Sequence, residues 1–196
     1  MNRWRWMLVR WCVLLAATTA LLELAACRAE KGTVSGCPSA TAGGAVDESV
    51  MAFLSAARSL HHEADVKDRS GDRAGAVASL ERLVAMPGPR ATEVDEVLAD
   101  AYGRLAEMRL ETKDWAGADR DVQAGLEHAR EPTYFRGHLL EVSGLIEEAR
   151  AAALADGGDR DEATRARAHA VDLFERAAGV QEQVIERALG DGGARD

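Results

Sequence analysis

From Asp47 almost to the end of the chain, apolar residues recur three and four positions apart, and no stretch alternates apolar with polar. That spacing lines up one stripe of an α-helix, whereas a half-buried strand needs a period of two. Six segments read this way. The first, about Asp47–Arg69, has Val50, Phe53, Leu54, Ala57, Leu60 and Ala64 on one stripe. The second, about Arg73–Met86, has Ala76, Val77, Leu80, Leu83 and Val84. The third, about Thr92–Thr112, has Val94, Val97, Leu98, Ala101, Leu105 and Met108. The fourth, about Trp115–Ala129, has Ala118, Val122 and Leu126. The fifth, about Thr133–Ala155, has Leu139, Leu140, Val142, Leu145, Ile146 and Ala149. The sixth, about Arg160–Leu189, has Ala163, Ala170, Leu173, Phe174, Ala177, Val180, Val184, Ile185 and Ala188. Pro38, Pro87, Pro89 and Pro132 all fall between these segments, as residues that break a helix should. The chain is therefore expected to be all-α.

Helix starts are marked as well. Asp72 and Asp114 precede the second and fourth segments and are suited to cap them, while Thr92 with Asp95 and Asp159 with Glu162 have the spacing of capping boxes. The helical domain is expected over 47–190, followed by a Gly-rich, disordered tail at 191–196.

The segments also repeat. Gly71-Asp72-Arg73-Ala74-Gly75-Ala76 returns as Lys113-Asp114-Trp115-Ala116-Gly117-Ala118, 42 residues on, and more weakly as Gly158-Asp159-Arg160-Asp161-Glu162-Ala163. Each copy joins a longer helix to a second one through a tight turn. A lone pair of helices cannot bury its apolar faces, but stacked pairs can. The pattern resembles the tetratricopeptide repeat, through Gly71, Asp72 and Ala76, through Asp114, Trp115 and Ala118, and through Gly158, Asp159 and Ala163. Leu60 and Ala64, then Tyr102 and Ala106, supply the family's large and small residues in the first helix of a pair. In the third copy Leu145 and Ala149 do so if its turn is two residues longer. The resemblance implies a right-handed stack of about three antiparallel pairs over 47–190, with the long sixth helix as its cap; a long-helix bundle is the alternative. It also implies a concave groove lined by the first helices, with Arg58, His61, His62, Asp65, Asp100, Arg104 and Glu107 available to a bound peptide or helix.

Residues 1–26 have the order of an export signal: Arg3, Arg5 and Arg10, then the apolar run Cys12–Leu22, then Ala25-Ala26. The run is about half the length that spans a bilayer. Leu24-Ala25-Ala26-Cys27 resembles the lipobox of bacterial lipoproteins, which implies cleavage before Cys27 and acyl chains on that residue; Glu23 departs from the usual pattern. The stretch 27–46 would then be a lipidated, flexible tether, rich in Gly, Ser, Ala and Thr. Arg28 stands where an acidic residue would favour inner-membrane retention. The expected location is the periplasmic face of the outer membrane, or the outer face of the cytoplasmic membrane where only one exists. Cys37 is left without a partner in the chain.

The net charge is −9. Residues 1–26 carry three Arg against one Glu, so the remainder is more acidic still, at −11. Phosphate backbones repel such a chain, which argues against nucleic acid. His61 and Asp65 share one helical face and could hold a metal or a proton; His138 with Glu141 is a similar, weaker pair. Two ligands do not make a site, however, and there is no HExxH motif, no Cys pair, no phosphate loop and no nucleophilic triad. Core packing is the first reading for Trp115 and for Tyr134-Phe135, which could instead anchor a partner. The expectation is a non-enzymatic, cofactor-free envelope scaffold that binds a protein partner and reaches the membrane through its lipid; its oligomeric state is open. The rival reading is a small-ligand or metal-binding envelope lipoprotein using His61 and His62.

Overall fold

The computed structural model describes residues 47–192. The expected leader, Cys27 and its lipid, the tether with Cys37, and residues 193–196 lie outside the described residues. Six helices make up the described part: α1 (Glu48–Arg69), α2 (Arg73–Val84), α3 (Thr92–Glu111), α4 (Trp115–His128), α5 (Tyr134–Asp156) and α6 (Arg160–Gly192). No strand occurs among the described residues, and none of these helices is long and apolar enough to cross a membrane. The periodic segments and the helices agree to within two or three residues. At the far end, α6 continues to Gly192, into the stretch expected to be tail.

The turns inside the pairs are built alike, bond for bond. Asp72 N–H donates to Lys67 O, Asp114 N–H to Arg109 O and Asp159 N–H to Leu154 O, each at 2.9 Å. One residue earlier, Gly71, Lys113 and Gly158 donate to Asp68, Leu110 and Ala155 at 2.9, 3.0 and 3.1 Å. This is the paired bonding of a Schellman C-cap, which needs a left-handed residue at its end. Gly71 (φ 84°), Lys113 (φ 64°) and Gly158 (φ 90°) supply it. The aspartate that follows caps the next helix: Asp72 accepts from Gly75 N–H at 2.9 Å, Asp114 from Gly117 at 3.0 Å and Asp159 from Glu162 at 3.2 Å. The fourth expected cap is not formed. Ala91 is the N-cap of α3, with no side-chain bond, and Thr92 is already helical.

Because the third turn has the length of the other two, the third copy stays in register with them. Ala151, not Ala149, matches Ala64 and Ala106, and all three are fully buried. Leu145, expected at the large position, is instead 38% exposed, and Glu147 stands in the place of Leu60 and Tyr102. The three alanines that begin the second helices, Ala76, Ala118 and Ala163, are all at 0% exposure, so each second helix lies close against its first.

Each first helix packs on its own second helix, and α2 and α4 pack on the first helix of the following pair. α1 also meets α3, and α3 meets α5, while α2, α4 and α6 make no close backbone approach to one another. The core is therefore a string. Phe53, Ala57, Leu83, Val94 and Leu98 join α1 and α2 to α3; Ala106, Ala118, Val122, Val142 and Ile146 join α3 and α4 to α5; Leu140, Leu173, Ala177 and Val180 join α5 to α6. Leu80, Leu83, Leu105, Leu139 and Ile146 are fully enclosed, and each contributes about 1.5–3 kcal/mol by leaving water.

Two side chains break the apolar rule in the core, and the repeat explains both. Ser79 and Asp121, the buried polar residues, occupy equivalent positions, seven residues after the capping aspartates. Each meets a cation at an equivalent position on the preceding helix: Lys67 Nζ donates to Ser79 Oγ at 3.0 Å, and Arg109 Nη1 donates to Asp121 Oδ2. In the third copy the two positions hold Leu154 and Ala166, and the polar pair is gone.

Candidate functional site

The side-by-side packing of α1, α3 and α5 brings together charged residues far apart in the chain. Arg104, on α3, is the hub. Its Nη1 donates to His61 Nδ1 at 2.8 Å and its Nη2 to Asp65 Oδ1 at 2.5 Å, both on α1. His61 and Asp65 can share one guanidinium because a spacing of four puts them on one side of their helix. The second nitrogen of His61 faces Asp100 Oδ2 at 3.7 Å. Since Nδ1 accepts from Arg104, the neutral imidazole carries its proton on Nε2, toward Asp100. Burial, and after it the Arg104 charge, push the His61 pKa below its ordinary value against the pull of Asp100 and Asp65.

Across the other side of α3, Glu107 Oε1 lies 3.6 Å from His138 Nε2 on α5. Tyr134 stacks on the His138 ring, with centroids 6.2 Å apart and planes 8° apart, and meets Phe135 edge-on. Tyr134 is 60% exposed, the most open aromatic ring among the described residues. Phe135 is half-buried beside Leu139, Ala99 and Ala129, and so acts as core. Trp115 is half-buried too, packed against the core cluster that Ala118, Val122 and Ile146 belong to, in line with the first reading of it.

Five of the seven expected groove residues thus form cross-helix polar contacts: His61, Asp65, Asp100, Arg104 and Glu107. Arg58 and His62 are exposed and make no side-chain hydrogen bond or ion pair among the described residues. His138 pairs with Glu107 and not with Glu141, because the α3–α5 contact brings the former to its ring. His61 and Asp65 do share a face, but a guanidinium lies between them where a metal would sit. No group of three or more His, Cys, Asp or Glu side chains suited to a metal occurs among the described residues.

Near the connections α2–α3 and α4–α5 there is a second feature, which sequence reasoning missed. A cleft of about 820 Å³ is lined by Arg90, Asp95, Glu96, His128, Arg130 and Phe135, among others. His128 Nδ1 lies 2.8 Å from Asp95 Oδ1, and its ring stacks on Tyr102 with centroids 5.9 Å apart. The cleft opens between two loops, where sequence periodicity carries no signal. Its walls are mixed in sign, without a nucleophile–base pair.

The chain matches no protein-family model, and no curated protein matches it.

Proposed function

We propose that this chain is a lipid-anchored scaffold of the bacterial cell envelope that holds a protein partner against the joint face of α1, α3 and α5. One observation carries the reading. Three helices of successive pairs lie side by side, and their shared face is an ordered network of His61, Asp65, Asp100, Arg104, Glu107 and His138 with the open ring of Tyr134 at its edge. Side chains already tied to one another lose little freedom when a partner docks, which favours recognition by charge pairs and hydrogen bonds. In a tetratricopeptide-like, right-handed stack this face would be the concave one. Arg58 and His62, without side-chain partners among the described residues, would be its adaptable contacts, and Tyr134 its aromatic anchor. Cys27, carrying lipid, would fix the scaffold to the membrane through the 27–46 tether.

The test is crosslinking in intact cells, followed by purification of the membrane fraction and mass spectrometry, with wild type beside Cys27→Ser and Arg104→Glu. The reading expects a defined envelope protein with wild type. Less of it should be captured with Cys27→Ser, which frees the scaffold from the membrane, and with Arg104→Glu, which reverses the hub charge. Equal capture by all three chains refutes both the anchor and the docking face.

A further inference from the structure

The third pair leaves one face open among the described residues, and its chemistry differs from that of the faces buried further in. In the first two pairs, the second helix contacts the following pair through fixed positions. Leu80 and Val84 on α2 pack with residues of α3, and Val122 and Leu126 on α4 pack with Val142 and Ile146 of α5. Around them run ion pairs to the following pair: Arg73 with Glu111, Glu81 with Arg109, and Asp119 with Arg150. The equivalent positions on α6 hold Arg160, Thr164, Arg167, Ala168 and Val171, and none of the described residues covers them: all are exposed.

Val171, at 54% exposure, stands where Val84 and Leu126 stand. Arg167 stands where the others have Leu80 and Val122, so this face is not made for another pair of the same apolar kind. α6 also runs far beyond the length of α2 or α4. Its extension continues the same stripe through Glu175, Ala178, Glu182, Ile185 and Leu189, alternately three and four residues apart from Val171 onward, and all are exposed. Leu145 of α5, 38% exposed, lies at the same level as Val171, since Gly144 beside it sits against the Phe174 ring.

The charges on this stripe are symmetric about Val171. Arg167 is four residues before it and Glu175 four after; Arg160 is eleven before and Glu182 eleven after. Of the other charged residues of α6, Arg165 pairs with Glu162 and Arg176 with Asp172, while Asp161 and Glu186 form no ion pair among the described residues. None of Arg160, Arg167, Glu175 and Glu182 forms an ion pair among the described residues. An antiparallel copy of the same helix, related by a two-fold axis at Val171, brings Arg167 opposite Glu175 and Arg160 opposite Glu182, each twice. It also sets Val171 against Val171 and Thr164 against Ala178. A face that is its own complement defines an isologous interface.

We propose that a second copy of this chain covers the open face, with the two α6 helices antiparallel across Val171. The dimer does not depend on the α1–α3–α5 docking face, which lies elsewhere on the stack.

The test uses the purified full chain. Sedimentation equilibrium in density-matched detergent is expected to give twice the chain mass. Arg167→Glu places like charges opposite one another at two symmetric points and is expected to weaken the dimer at least tenfold. The double variant Arg167→Glu/Glu175→Arg restores the pairing and is expected to recover it. Both changes are on an exposed helix surface, so circular dichroism should be the same throughout. Under oxidising conditions Val171→Cys is expected to give a disulfide dimer on non-reducing gels well above the level of wild type or Met51→Cys, an exposed position on α1. Monomer mass across the concentration range overturns the proposal and leaves the face to a different protein. A dimer indifferent to Arg167→Glu, or Val171→Cys crosslinking no better than Met51→Cys, overturns it as well.

Discussion

Lys113 is the one non-glycine residue in a left-handed conformation among the described residues, at a turn position where the other two copies have glycine. The comparison isolates a backbone term. A side chain in this conformation costs about 1–2 kcal/mol. Replacing Lys113 by glycine removes that cost, but glycine's freedom in the unfolded chain takes back about 0.4–1 kcal/mol. The net expectation is a gain of about 0.5–1 kcal/mol, or some 1–4 °C in Tm for a domain of this size. Gly71→Ala and Gly158→Ala should lose a similar amount, since a Cβ at either site meets no atom within 4 Å and only the φ angle opposes it. Lys113 forms no side-chain hydrogen bond or ion pair among the described residues, so little else is lost with it. Urea denaturation followed at 222 nm on the four chains is the assay. If Lys113→Gly is neutral or destabilising while both alanine variants are neutral, the three turns do not share the geometry that their bonds imply.

Three further outcomes follow from the packing and the charges. Arg109→Met strands the Asp121 carboxylate, 7% exposed, without its cation and is expected to cost about 3–5 kcal/mol; Arg109→Met/Asp121→Leu should recover most of this in the same denaturation assay. Because the folded-state pKa of His61 is lowered, the unfolded chain takes up its proton first. This contribution to stability is present above about pH 6.5 and is lost as pH falls from there to the folded pKa. Tm measured between pH 7.5 and 5 should therefore fall more for wild type than for His61→Gln, and an equal fall rejects the assignment. Arg104→Gln removes a positive neighbour while Asp65 and Asp100 stay, so the His61 resonance in an NMR titration should move to higher pKa.

Local features were legible in the sequence and distant ones were not, for a physical reason. Asp72, Asp114 and Asp159 cap as expected, because a cap is made within three residues. The Thr92–Asp95 pair failed although it is equally local. Thr92 entered the helix as its first residue, and Asp95 turned to His128 on α4 instead. Sequence spacing puts His61, Asp65 and Arg104 on helix faces but cannot choose partners some 40 residues apart; only the α1–α3 contact does that. His138 makes the same point, since Glu141 is near in sequence and Glu107 near in space. In the third copy Leu145 and Ala149 imitate a large–small pair in the sequence without occupying those positions in the structure. The true equivalent of the large residue is Glu147, which its ion pair with Arg150 at 2.5 Å accommodates. The 42-residue offset that relates the turns also relates Lys67 to Arg109 and Ser79 to Asp121, so the two buried polar contacts could have been read as a repeated unit.

No helix of the stack touches one more than two places along the chain: α1 meets nothing beyond α3, and α3 nothing beyond α5. Such a chain never has to close a long loop to gain its next contact, so its entropy cost is spread over many small steps. Folding can start at any pair and spread to its neighbours. Damage to one pair should melt that pair first, with distant pairs left standing at intermediate denaturant. Hydrogen exchange would then reveal a gradient along the chain in place of one global opening, with α6, held on one side by α5 alone, exchanging early unless something covers its other side.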